Sequence, residues 1–516
     1  MAITSACNEL LTSSVLWTVA LLAASVYLVQ LVHTAFFSPL AQVPGPLLNK
    51  FSNLPLKYHV IRGQYHSYTS ALHAKYGEIV RIGYNHVSLS NTSDARLVLA
   101  THAFLKGPMY EKGHLIEANT FSTIDPEENK IRRRQIGSAF AMHTMRAVED
   151  TVVDAGANSL ISVWDAEISK QGGAAKVNYF YSFHRMGYDV IGAIGFGESF
   201  NILKTGNTDV IDWMQDTVHL KSFRSLSPML VKIPWLFSKL KHSHSQMVAT
   251  TLGRVEMRKR LIKEAGAPPR VDVLQKFIDA EDPVTGDKLT LRQLQSEVAL
   301  MLVAGTDTTS NTITYAIVHL LHNPSIYKRV TEEVRSTFPD SSQVISFEDA
   351  KAKLSYLSAV IYETMRINPS VSGMLPRSAP AKGATIQGYN IPHDTQICVS
   401  IAACHRNPHT WKNPDVFDPE RFLGPDSAER VKDILVFSSG VRVCIGRNLA
   451  WLEIYTVLAN ILRKYDFSLP ADAPYGPHRL GKSGAPVEIP AVSHIVTNPE
   501  NPKDNCWAVV RPAMSA

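Results

Sequence analysis

Cysteine is scarce. Five residues, Cys7, Cys398, Cys404, Cys444 and Cys506, are scattered over 516 positions. An odd and widely spaced set excludes a disulfide scaffold and fits a reducing compartment. Charge of one sign is also lacking: 52 Lys and Arg against 46 Asp and Glu leave a net charge of +6. No long run of like charge concentrates that excess, so no nucleic-acid face is expected. Internal repeats are absent, and 28 Gly with 29 Pro exclude collagen-like or low-complexity architectures. At 45% hydrophobic and 19% charged, the chain is not disordered. Gly195-Phe-Gly197 lacks the third glycine of a dinucleotide fingerprint, so neither NADPH nor flavin is expected on this chain.

What the sequence does hold begins with an uncharged stretch from Leu10 to Val32. A helix needs about 20 such residues to cross a bilayer. A cleaved signal peptide prefers a basic leader and a run of about 7–15 apolar residues. The first basic residue here is Lys50, followed by Lys57 and Arg62. An uncleaved single-pass anchor with the bulk of the chain in the cytosol is therefore expected, over a signal peptide or a buried helix. Residues 1–37 form the anchor, and 38–46 (SPLAQVPGP) a stiff, non-helical, proline-rich hinge. Residues 47–516 read as one large domain.

That domain reads as mainly α with a smaller β part. Glu78–Leu89 alternates around a turn and predicts a hairpin. Loops are expected at Ala265–Arg270, Glu281–Lys288 and Phe338–Ser346. Long helices are expected over Leu289–Leu321 and Phe347–Ile367, strands over Ala384–Ile401, and late strands at Ile495 and Val509. Asn91-Thr-Ser93 is a glycosylation sequon that a cytosolic domain would not present. Cys398 and Cys404-His405 lack zinc-finger spacing and read as core.

The chemistry concentrates at Phe437-Ser-Ser-Gly440-Val-Arg442-Val-Cys444-Ile-Gly446. Cys444 precedes an apolar helical run, and the free N–H groups of a helix start favour thiolate. Gly440 and Gly446 permit a tight loop and the close approach of a flat ligand. Arg442 suits a carboxylate. The segment resembles the haem-binding signature FxxGxRxCxG of the cytochrome P-450 family at all five fixed positions. The resemblance implies the P-450 fold after one transmembrane helix, and heme b with Cys444 as axial thiolate to the iron. That ligand favours O–O cleavage.

Three more segments carry the resemblance. Glu363-Thr-Met-Arg366 resembles ExxR, with both side chains on one helix face. Pro414-Asp-Val-Phe417-Asp-Pro419-Glu-Arg421-Phe422 resembles PxxFxPERF. The resemblance makes Glu363, Arg366 and Arg421 a structural network supporting the cysteine loop. Ala304-Gly305-Thr306-Asp307-Thr308-Thr309 matches AGxDTT. There Gly305 is expected to open a groove over the iron, while Asp307 and Thr308 act as catalytic acid and hydroxyl. The alternative is a polar helix stripe with Thr308 bonded back to its own helix. Arg377, in Leu375-Pro376-Arg377, resembles a propionate arginine. Asn129-Lys130-Ile-Arg132-Arg133 stands where the family has WRxxR, which makes Lys130 and Arg133 haem contacts. Here Asn129 replaces Trp, and Lys130 lacks the bidentate fork of the expected Arg. The basic run Lys130–Arg134 also suits docking to an acidic reductase.

The resemblance implies a monooxygenase that inserts one atom of O2 into a lipophilic small molecule. Electrons would come from an NADPH-cytochrome P-450 reductase, with cytochrome b5 a further partner. The enzyme would sit in the endoplasmic reticulum membrane. A resemblance to fungal benzoate and trichothecene hydroxylases points to secondary metabolism. The rival readings are an O2-independent haem-thiolate isomerase or dehydratase and a non-catalytic haem-binding membrane protein. Substrate-selecting positions are expected at Leu105–Ile124, Lys221–Trp235, Met301, Ala304 and Val371–Leu375.

Overall fold

The computed structural model describes residues 2–112, 114, 116–226, 228–265, 272–373, 375–481 and 484–513. Past Ala265, the loop expected at Ala265–Arg270 lies outside the described residues. So do Gly113, Leu115, Ser227 and Met374 within the expected substrate segments.

The chain enters through a helix over Ala2–Phe36, of which Val15–Phe36 has a mean hydropathy of 2.1 and is mostly exposed until its last turn, where Ala35 is buried and Phe36 meets Phe51. The proline-rich stretch that follows is not wholly non-helical, because Pro39–Gln42 forms a 3-10 turn. Nor does it swing free. Leu40 and Val43 are buried, and the Pro44 carbonyl accepts from the Arg81 backbone N–H at 2.7 Å. The fully buried Arg81 guanidinium then donates to the carbonyls of Thr34, Leu40 and Tyr84 at 3.2, 3.1 and 2.6 Å. Buried charge of this kind persists only when its donors are satisfied.

A mixed five-stranded sheet carries one side of the body. Its order is Ile79–Gly83, His86–Leu89, Gln396–Val399, Arg377–Ser378, Leu105–Lys106. The hairpin expected at Glu78–Leu89 forms its first two strands. Lys106 pairs with Arg377 across the last two. The expected strands of Ala384–Ile401 comprise the hairpin Ala384–Ile386 with Tyr389–Ile391, then Gln396–Val399. Val509 lies in a strand, Trp507–Pro512. Ile495 does not: it sits in the turn joining Ala491–Ser493 to Thr497–Pro499.

Helices supply most of the core. The long helix runs Leu291–His322. Thr290 and Gln293 start it with a reciprocal capping box, and it stops at Asn323, which Pro324 holds out of the helical region. A second helix, Tyr179–Phe196, lies along it and ends on Gly197 in the left-handed conformation. Here it is called the facing helix. The helix expected over Phe347–Ile367 is two helices, Phe347–Lys353 and Ser355–Ile367. They break because Glu333, from the preceding helix, accepts the Tyr356 and Leu357 N–H groups at 2.7 and 2.9 Å and so caps a new helix start. The helix after the cysteine spans Arg447–Lys464. These helices share one large apolar cluster, and the mixed sheet covers a second.

Candidate active site

The cysteine loop is held from behind. Glu363 and Arg366 are fully buried. Arg366 forks onto Glu363 at 2.7 and 2.8 Å and donates to the carbonyls of His405, Pro414 and Val416 at 2.9, 2.7 and 3.1 Å. Arg421 adds a bond to Glu363 at 3.3 Å and holds the Asn413 carbonyl at 3.0 Å. This is no surface ion pair, since every strong donor and acceptor has a partner. His405 extends the support. Burial and the Arg366 charge hold its imidazole neutral, with its pKa lowered to about 3, and Nε2 accepts the Leu435 N–H at 2.8 Å. Cys398 and Cys404 are buried core, as expected.

Within the loop, Gly440 has φ +63°, and a Cβ there would fall 2.3 Å from the Ala100 backbone. Its glycine is needed for packing on the helix Thr92–Ala100. Gly446 has ordinary φ and open space beside it. Phe437 packs on Trp451 with ring centroids 5.4 Å apart. The Cys444 N–H is tied to the Phe437 carbonyl at 2.8 Å. Cys444 is exposed on a cleft of 210 Å³ lined also by Arg133, Phe140 and Asn448, although protein surrounds it closely. The expected lowering of its thiol pKa does not hold for the chain alone. Burial pushes the thiol up, against the N–H of Gly446 and the charges of Arg133 and Arg447. Desolvation outweighs the helix start until a cation is bound. A larger cavity of 310 Å³ lies elsewhere, around His319, His322 and Glu488, and includes none of the signature residues.

Four cations meet near this loop. Arg442 is 9% exposed, and burial together with the Arg377 and Arg133 charges lowers its pKa to about 10. Arg377 is buried, with Nε unpartnered. Lys106 lies over the rings of Tyr110 and Phe121, each at 4.1 Å, and donates to the Phe121 carbonyl. Burial and the charges of Arg377, Arg442 and Arg133 hold its amine well below the usual range. Among the described residues none of the four has a carboxylate within ion-pair distance, so like charges are gathered without an internal counter-ion.

Lys130 is not among them. It is half-exposed and pairs with Glu127 at 2.6 Å one turn back on its own helix. Nor is the run Lys130–Arg134 a free basic face. Arg132 is buried against Glu297 at 3.7 Å, and Arg134 forks onto Asp282 at 2.6 and 2.7 Å. Only Arg133 turns to the cysteine cleft. Asn129 is buried and donates to the Thr120 carbonyl, which Arg442 also reaches, at 2.9 and 3.5 Å. The Trp-to-Asn departure therefore fixes the loop beside Arg442.

The long helix carries the second candidate group. Ala304 is exposed, and Asp307 and Thr308 are half-buried on the same face. Thr308 Oγ1 donates to the Ala304 carbonyl at 2.8 Å, the back-bonded alternative. Burial raises the Asp307 carboxyl to about 6. Gly305 does not open a groove: a Cβ there would meet Ile191 of the facing helix at 2.7 Å, so it permits helix packing. Met301 likewise fills the space at Gly195 and is core. Of the Lys221–Trp235 segment, Lys221 is buried while Met229 and Trp235 face outward.

The cytochrome P450 family model matches residues 43–481 of this chain. The chain belongs to the cytochrome P450 family. It is 32% identical to the cytochrome P450 monooxygenase helB1 of Aspergillus fumigatus, over 98% of this chain and 87% of that one. It is 33% identical to helB3 of the same fungus, over 93% and 95%. With acrD of Aspergillus aculeatus it shares 29%, over 84% and 86%. Two solved P450 structures share its fold. They are CYP102L1, with a TM-score of 0.74, 19% identity and 91% and 99% of the two chains covered, and the P450DA heme domain, with 0.76, 19%, 92% and 98%.

As a P450 monooxygenase the protein uses haem iron with a cysteine thiolate ligand, O2, an organic substrate and a redox partner. The residues present fit that group. Haem carries two propionates, and the uncountered cluster of Lys106, Arg133, Arg377 and Arg442, with the orphaned Nε of Arg377, suits two carboxylates in buried surroundings. Lys106 is the residue that sequence reading missed. Its neighbours give no local signal, and only strand pairing with Arg377 reveals it.

Proposed function

We propose that this P450 inserts one oxygen atom from O2 into a lipophilic small molecule of secondary metabolism, taking electrons from an NADPH-cytochrome P450 reductase, with cytochrome b5 as an accessory donor. The cation cluster beside an exposed cysteine carries the reading, because its uncountered charge suits the two carboxylates of a haem. Cys444 would hold the iron as thiolate. Lys106, Arg133, Arg377 and Arg442 would hold the propionates, and Phe437 and Gly446 would complete the loop that receives the group. When bound, the haem supplies the oxidation itself. Asp307 takes a proton from solvent on the open side and hands it to Thr308, whose hydroxyl leaves the Ala304 carbonyl and passes its own proton on as it accepts that one. The apolar anchor, with Phe37, Leu47, Leu48 and Leu54 exposed beside it, supports attachment to the endoplasmic reticulum membrane with the body in the cytosol. Relatives named as fungal monooxygenases support the secondary-metabolite assignment.

Two measurements test this. Carbonyl difference spectra should show a thiolate-type band that Cys444→Ala abolishes. Mass spectrometry of a strain lacking the gene should show a lost product, heavier by one oxygen atom than a compound that accumulates. Retention of the band in Cys444→Ala would overturn the ligand assignment. A loss of two hydrogens in place of an added oxygen would overturn simple insertion.

A further inference from the structure

Asp307 faces a partner that no sequence motif marks. His184 lies on the facing helix, where the two helices are locked together by a bond from Ser310 Oγ to the Phe183 carbonyl at 2.9 Å. Gly187 permits this approach, since a Cβ there would fall 2.6 Å from Ser310 Oγ. The His184 Nδ1 lies 2.9 Å from the Phe180 carbonyl. A carbonyl can only accept, so the ring proton sits on Nδ1 and Nε2 carries the lone pair. That Nε2 is buried, has no hydrogen-bond partner, and lies 4.0 Å from Asp307 Oδ1, which is itself buried and unpartnered. The Asp307 side chain is otherwise 26% exposed, so Oδ2 is the oxygen turned to the open side, where Ala304 and Thr308 lie. Burial lowers the imidazole to about 4 and raises the carboxyl to about 6, so a proton shared by the pair resides on Asp307. A side-chain shift of about 1 Å closes the gap to a hydrogen bond.

We infer that His184 is the positioning residue of Asp307, its Nε2 accepting the proton on Oδ1 and parking the carboxyl between proton deliveries. This rests on the role proposed above for Asp307. Breaking the bond lets the carboxyl rotate and present its proton toward Thr308. The carboxylate is then reprotonated by water on the open side, and the imidazole stays neutral throughout.

The test uses full-length holoenzyme and the variants His184→Phe, His184→Gln and Asp307→Asn. Infrared difference spectra of the reduced, carbonyl-bound form, taken below pH 6, should show a protonated-acid stretch that Asp307→Asn removes. It should move to higher frequency in His184→Phe and return part-way in His184→Gln, which keeps an acceptor. With reductase and NADPH, the share of electrons released as hydrogen peroxide should rise several-fold in His184→Phe and less in His184→Gln. An Asp307 stretch at the same frequency in wild type and His184→Phe overturns the proposal, as does a shifted stretch with no change in peroxide. If Asp307→Asn leaves peroxide unchanged while the stretch of the native Asp307 still depends on His184, the role assigned to Asp307 fails, and the parking function falls with it.

Discussion

The support of the cysteine loop and the pairing of the long helix with its facing helix differ in how their polar groups are satisfied. Behind the loop, Glu363 and Arg366 are buried, Arg421 is half-buried, and all three are bonded at every strong donor and acceptor. Between the two paired helices, Asp307 and His184 hold unpartnered buried atoms, and Thr308 spends its hydroxyl on its own helix. A fully satisfied network can only hold its shape. Unsatisfied groups can change partner during a reaction. The difference separates a part built to stay from the part to which proton delivery is assigned above.

Breaking the fixed side should have the largest effect. Arg366→Ala leaves Glu363 charged and buried without its fork, a loss of about 3–5 kcal/mol. Little haem-loaded protein should be recovered, as read by the carbonyl spectrum against total protein. On the moving side, Thr308→Ala should leave that spectrum intact, lower product formation by roughly ten- to a hundredfold, and raise peroxide release. A fall in haem content with Thr308→Ala would erase the contrast between the sides.

Glu453 sharpens the comparison, because it is a buried group on the fixed side with no partner at either oxygen. Burial raises its carboxyl from 4.5 to about 8. Between those values the folded chain keeps a proton that the unfolded chain has lost, so stability falls as pH rises through the window. The slope for one such group is about 1.4 kcal/mol per pH unit. Glu453→Gln should remove it, with a denaturation midpoint that gains on wild type from pH 5 toward pH 8. Parallel curves for the two proteins would show that Glu453 ionises freely. The smallest contrast lies between two lysines. Lys106→Ala should speed haem loss several-fold, while Lys130→Ala, which removes only an exposed pair, should leave it unchanged.

What the sequence makes legible is local. The spacing of Glu363 and Arg366 places them on one face, and Thr290 with Gln293 marks the start of the long helix. The loop around Cys444 is readable because all its signature residues lie within ten positions. Contacts between distant segments are not written that way. Gly305 reads as an opening over the ligand until Ile191 is found against it. The break at Leu354 depends on Glu333 in the preceding helix. Lys130 reads as a ligand contact from its place in a motif, whereas Lys106 reaches the cation cluster through a strand paired with that of Arg377.

The Arg81 guanidinium gathers carbonyls from the end of the anchor helix, the hinge and the hairpin. Thr34, at the membrane exit, and Leu40, inside the hinge, are thereby tied to one rigid side chain. The anchor is then less a tether than a mast stepped into the hull. The direction of the apolar helix is thereby set relative to the body. If that helix is held in a bilayer, the body is carried at one angle to the lipid surface rather than at many.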